Sequence, residues 1–100
     1  MRIERRKMYK SFEVLGALFP KARLNILATL YGEPGREWFM RDLALSLGVL
    51  HSTLQREFKN LTNAGVIESR RDGGRVYYRA AESCPVYPEL VQLFTKASSS

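Results

Sequence analysis

"MRDLALSLGVLHSTLQREFKNLTNAGVIESRRDGGRVYYRA", residues 40–80, decides the fold of this chain. Its opening "RDLALSLG" (41–48) sets Leu43, Ala44 and Leu47 on the buried side of a short helix, and Gly48 supplies the stop. "VLH" (49–51) has length only for a tight connection. "STLQREFKNLTNAG" (52–65) follows, with Leu54, Phe58 and Leu61 at helical spacing and Gly65 closing the element. "VIESRR", "DGG" and "RVYYRA" then form a β-hairpin over 66–80, because Asp-Gly and Gly-Gly supply the positive φ of tight hairpin turns. Two helices joined by a turn of about three or four residues make a helix-turn-helix, and a hairpin directly behind the second helix is a wing. The pattern predicts an α+β chain, mainly helical, of winged helix-turn-helix type.

The flanks extend that reading. "REWFM" (36–40) is too short for a helix and predicts a single strand. "KARLNILATLY" (21–31) offers Leu24, Leu27, Leu30 and Tyr31 as a buried stripe with Ala28 beside it, Pro20 in its first turn and "GEPG" (32–35) as its end. Residues 8–19 align Met8, Phe12, Leu15 and Phe19 on one helical face, although Gly16 weakens a continuous helix there. "YPELVQLFTK" (87–96) is amphipathic through Leu90, Val91 and Phe94, and the closing serines are expected to fray. The organisation predicted is one domain over 1–100, with the motif at about 20–82 and terminal helices 8–19 and 88–96 serving packing or dimerisation.

Composition narrows the class. A hydrophobic share of 45% in 100 residues is globular and too high for a disordered chain. The single cysteine, Cys84, excludes an internal disulfide and fits a reducing compartment. No apolar run approaches the roughly 18 residues of a membrane span. "MRIERRKMYK" is charged, and no signal-peptide core follows it. The expectation is a cytoplasmic protein that does not engage membranes. The net charge of +6 is uneven: residues 1–10 carry five bases against one acid, and residues 68–79 carry four against two. Charge so placed suits a polyanion such as nucleic acid, and equally a soluble basic protein whose charge selects no partner.

Side chains within the motif favour the first option. At about 100° per residue from Leu54, the opposite face of the second helix carries Ser52, Arg56, Lys59 and Asn63, with Gln55 at its flank and no carboxylate. Thr53 joins Ser52 as a contact candidate at the helix start. Arginine can fork onto guanine, glutamine onto adenine, and lysine onto phosphate. An ordinary solvated face would usually mix in glutamate. In the wing, Arg70, Arg71, Arg75 and Arg79 are candidate phosphate contacts, which bring affinity and salt dependence rather than base choice. Alternation sets Val76, Tyr78 and Ala80 on one face and Arg75, Tyr77 and Arg79 on the other, which makes Tyr78 a core candidate. At least one wing arginine is expected only to guard a sheet edge against aggregation.

The segments "DLALSLG", "STLQREFKNLTNAGVI" and "RVYYRA", in this order and spacing, resemble the winged helix-turn-helix of small prokaryotic transcriptional regulators, the ArsR-like group in particular. The resemblance spans roughly residues 20–82. It implies sequence-specific binding of double-stranded DNA as a homodimer, with helix 52–64 in the major groove and wing 66–80 on the backbone or minor groove, under an unidentified small-molecule or protein effector. Two departures stand out. That family usually caps its recognition helix with Ser or Thr, often followed by Pro, where this chain has Leu50 and His51. Ser52 and Gln55 form an S-x-x-Q capping box, so the helix is expected to begin later, with Ser52 either spent on the backbone or left for DNA. ArsR-like metal sensors cluster Cys and His ligands. One Cys84 and one His51 cannot supply a zinc site, so no metal and no cofactor are expected.

No P-loop, no G-x-S-x-G and no Cys–His pairing in a family-like context occurs, so catalysis is not expected. The alternative function is a winged-helix protein-interaction or adaptor module, for example beside a nucleotidyltransferase. Arginines on the recognition helix count against it.

Overall fold

The computed structural model describes residues 10–98. Met8, expected on the first helical face, lies outside them. Helix α1 (Ser11–Leu18) is short and buries only Leu15. Phe19 is extended rather than helical, and its N–H donates to the Leu15 carbonyl at 3.0 Å, ending the helix ahead of Pro20. Gly16 sits inside α1, where an added Cβ would meet Leu24 only at 3.9 Å. Pro20 is the residue before α2 (Lys21–Gly32) rather than in its first turn, and its carbonyl accepts from the Leu24 N–H at 2.8 Å.

Helix α2 is the axis of the domain. It buries Ile26 besides the expected Leu24, Leu27, Leu30 and Tyr31. The wider buried arc follows from its neighbours: a helix covered from several sides needs apolar residues on more than one stripe. The Tyr31 hydroxyl donates to the Val66 carbonyl, which also accepts from the Ala81 N–H at 3.2 Å. Burial pushes the Tyr31 phenol well above its ordinary range, so this donor keeps its proton.

Strand β1 (Trp38–Phe39) is two residues long, because Met40 already opens helix α3 (Met40–Leu47). Gly48 ends α3 at φ +63, the left-handed conformation glycine adopts without a Cβ penalty. Helix α4 (His51–Asn63) then begins two residues earlier than the capping box predicts. Leu50 is the residue before the helix and has no side-chain cap, while its carbonyl accepts from the Leu54 N–H at 3.0 Å. The half-buried Val49 packs on the core, so tertiary packing aims the chain into α4 before Ser52 can act. Ser52 forms no cap and is exposed. At the other end, Val66 N–H reaches Leu61 O at 2.9 Å and Gly65 N–H reaches Thr62 O at 3.0 Å. With Gly65 at φ +78 this is a Schellman closure.

The wing strands are β2 (Ile67–Asp72) and β3 (Arg75–Ala80), turned at Gly73 and Gly74. They belong to a three-stranded antiparallel sheet of order β1-β3-β2, in which Trp38 faces Tyr78 and Phe39 faces Tyr77. The early strand is therefore the third strand of the wing. Helix α5 (Tyr87–Ser98) runs longer than residues 88–96 and packs on α1 and α2. It buries Phe94 and Ala97, and the rings of Tyr31, Tyr87, Phe19 and Phe94 meet at centroid distances of 5.8 to 6.4 Å.

Candidate nucleic-acid interface

Helix α4 divides cleanly. Leu54, Phe58 and Leu61 face the core, and Ser52, Gln55, Arg56, Lys59 and Asn63 are exposed, while Thr53 is half-buried. Its one acid, Glu57, is turned inward and is 6% exposed. Arg23 of α2 meets it with Nε at 2.7 Å and a second nitrogen at 3.4 Å. That pairing crosses 34 residues of sequence and keeps the outward face free of carboxylate. His51, at the mouth of α4, is exposed.

Strand register sorts the wing arginines. Ile67 pairs with Ala80, Ser69 with Tyr78 and Arg71 with Val76, and these six share the inward face with the buried Ile67 and Ala80. Glu68 with Arg79, Arg70 with Tyr77 and Asp72 with Arg75 form the outward face. There Arg70 is forked onto Glu37, with contacts of 2.6 and 3.0 Å, and also approaches Asp72 at 3.7 Å. Arg79 donates to Glu68 at 2.7 Å. The Arg70 guanidinium holds the Glu37 carboxyl below the usual carboxylate range. Arg75 lies over the Phe39 ring at 5.5 Å, and Phe39 meets Tyr77 at 5.9 Å. Among the described residues, Arg71 and Arg75 have no carboxylate partner. Of the four arginines, Arg70 and Arg79 are thus already engaged.

Between α4 and the inward face of the sheet runs an open groove of about 340 Å³, where Gln55, Lys59 and Asn63 meet Ser69 and Tyr78. Sequence reasoning missed Ser69 and assigned Tyr78 to the core. Tyr78 is half-buried: its ring lies 4.3 Å from Phe58 and the residue also lines the groove. The "DGG" turn fixes a register that sets Ser69 opposite Tyr78, so that signal was present in the sequence.

Cys84, in the loop between β3 and α5, is buried near Tyr31. Among the described residues there is no cluster of three or more His, Cys, Asp or Glu suited to a metal ion, and no helix is long and apolar enough to cross a membrane.

No protein-family model and no curated protein sequence matches the chain. Solved structures do. M. tuberculosis Rv0081 is 30% identical, over 87% of this chain and 83% of its own, with a TM-score of 0.63. The predicted DNA-binding transcriptional regulator from E. coli is 27% identical over 81% and 82% of the two chains, with a TM-score of 0.61. The transcriptional repressor BigR from Xylella fastidiosa, at 24% identity, shares the fold over 87% and 82%, with a TM-score of 0.69. The helix-turn-helix backed by a three-stranded wing is the fold that this chain shares with them. The chain is a winged helix-turn-helix protein similar to transcriptional regulators.

Proposed function

We propose that this regulator binds double-stranded DNA with sequence preference, in the manner of the ArsR-like group, with α4 in the major groove and the β2–β3 wing over the backbone or adjacent minor groove. The observation that carries the reading is the outward face of α4: Ser52, Gln55, Arg56, Lys59 and Asn63 are exposed there while Glu57 is turned in and neutralised by Arg23. A face of neutral donors and cations suits base edges and phosphates, and an outward carboxylate would repel the phosphates. DNA as the target makes the cytoplasm the working compartment. Gel-shift selection from random duplexes tests this reading; recovery of no enriched sequence would refute it.

Two copies on a pseudo-palindrome would place their recognition helices about 34 Å apart, one turn of B-DNA. The apolar surface for such a homodimer is α1, where Phe12, Val14 and Leu18 are 40%, 47% and 69% exposed, with Leu93 of α5 at 38%. Leu15 and Phe94, expected at that surface from the sequence, are core residues at 3% and 1% exposure, and Phe19, Leu90 and Val91 pack on the core. Phe12→Asp is therefore the informative variant. Sedimentation should show half the wild-type mass and gel shift a weaker complex; an unchanged mass would remove α1 from the interface.

A second reading, the adaptor module, draws on Leu45 and Leu50, which are 78% and 75% exposed on the helix-turn-helix itself. Exposed leucines suit a protein surface. Loss of selective DNA binding together with a Leu45- and Leu50-dependent protein complex would favour it.

A further inference from the structure

The groove between α4 and the wing has a use that its position dictates, given the DNA reading above, on which this inference rests. The sugar–phosphate strand that divides a major groove from its neighbouring minor groove must pass between an element lying in one and an element reaching over the other. Here that gap is the groove bounded by α4 and the inward face of the sheet.

Its lining suits an anion. Lys59 contributes an ammonium with no carboxylate partner among the described residues, and Asn63, Ser69 and Tyr78 contribute neutral donors. No carboxylate lines it. The Thr62 Oγ1 is buried and unsatisfied, and neither Ser69 nor Tyr78 makes a side-chain hydrogen bond among the described residues. Buried polar groups are almost always satisfied, so an orphan hydroxyl on a residue that lines this donor-rich cleft points to a ligand or ordered water nearby. Burial raises the Tyr78 phenol above its ordinary value, against a smaller opposing effect of Arg71, so the hydroxyl remains a donor at neutral pH. The Phe58 ring, 4.3 Å from that of Tyr78, holds the phenol in place from below.

We infer that Lys59 and Tyr78, supported by Asn63 and Ser69, form a seat for one phosphodiester of the DNA strand that crosses between α4 and the wing. Tyr78 thereby gains a DNA-contacting role beside its packing one. The seat also sets the angle between recognition helix and wing on the duplex, because a single phosphate is held from both sides.

Tyr78→Phe keeps the ring and removes only the hydroxyl. On a duplex enriched by selection it is expected to weaken binding about tenfold, since hydrogen bonds to charged groups are the stronger kind. Lys59→Ala should lower the salt slope by about 0.9. Uncharged methylphosphonate placed one position at a time should weaken the wild type at one phosphate per half-site, and should add little at that position to a Lys59→Ala, Tyr78→Phe double variant. Thermal melting of each variant checks that it is folded, and Ser69→Ala provides a second, milder probe of the same position. Wild-type protein that selected no duplex would overturn both the DNA reading and the seat. Selective binding unaffected by Tyr78→Phe, with no methylphosphonate position coupled to Lys59 and Tyr78, would overturn the seat alone. Inorganic phosphate, titrated without DNA, should leave the Ser69 and Tyr78 resonances unmoved where duplex saturates them. Tight saturation by phosphate would assign the groove to a free anion instead.

Discussion

On the outward face of the wing, Arg70 and Arg79 are held by Glu37 and Glu68, and Asp72 stands 3.7 Å from Arg70. On the inward face, Arg71 has no carboxylate partner among the described residues and pairs with Val76, two residues along the strands from the Ser69–Tyr78 pair. The same six-residue strands thus carry arginines in two states. A guanidinium already forked onto a carboxylate has its charge offset and fewer donors left for phosphate, whereas an unpaired one need only shed water. Sequence alone weighs the four wing arginines equally. Their partners divide them into structural and available groups.

The comparison can be broken from below. Phe58 is 1% exposed and supports both Leu54's side of the core and the ring of Tyr78. Phe58→Ala should cost about 3–5 kcal/mol of stability, read as a lower urea midpoint, and should loosen the inward face before the outward one. A midpoint within error of wild type would mean that the wing does not rest on α4.

A smaller effect is expected on the reading face itself. Arg56 is exposed and has no carboxylate partner among the described residues. Arg56→Ala should lose about 1–3 kcal/mol at its cognate base pair and relax preference there, as selection on the variant would reveal. Equal loss on every sequence would reassign Arg56 to a phosphate.

The division of the wing is sharpened by salt titration. Arg71→Ala should lower the slope by about 0.9, whereas Arg70→Ala should change it by much less because Glu37 already occupies that side chain. Equal slopes for the two variants would erase the distinction between the faces.

The smallest effect is pH-dependent. Arg70 lowers the Glu37 pKa from its ordinary 4.5 in the folded chain. A depressed carboxyl contributes its stabilisation fully above the unfolded value and loses it as pH falls through the folded one. The clamp from Glu37, just before β1, to Arg70 of β2 should therefore hold at neutral pH and release below about 4.5. Glu37→Gln should flatten that part of the melting-temperature profile. An identical acid profile in wild type and variant would show that the pair contributes nothing measurable.

Much of this architecture was legible because its signals are local. Gly48 and Gly65 end α3 and α4 at φ +63 and +78, and Gly73 turns the wing at +62. Leu54, Phe58 and Leu61 repeat at helical spacing and are all buried. Each of these requirements is met within a few residues, so composition and periodicity suffice to state them. The capping box over Ser52 and Gln55 was also a local signal, and it lost to the packing of Val49 one turn earlier.

Sequence by itself determined the helix-turn-helix, the wing and the polar outward face of α4, since periodicity and turn chemistry act along the chain. Tertiary structure decided what the charges and aromatics do. Arg23 reaches Glu57 across 34 residues, Arg70 reaches Glu37 across 33, and β1 finds β3 only when the wing folds back on it. Phe94 enters the core because α5 returns to α2, and Tyr78 stands at a groove because α4 lies beside the sheet. A partner distant in sequence is chosen by which surfaces meet in the folded domain, and no local pattern encodes that meeting.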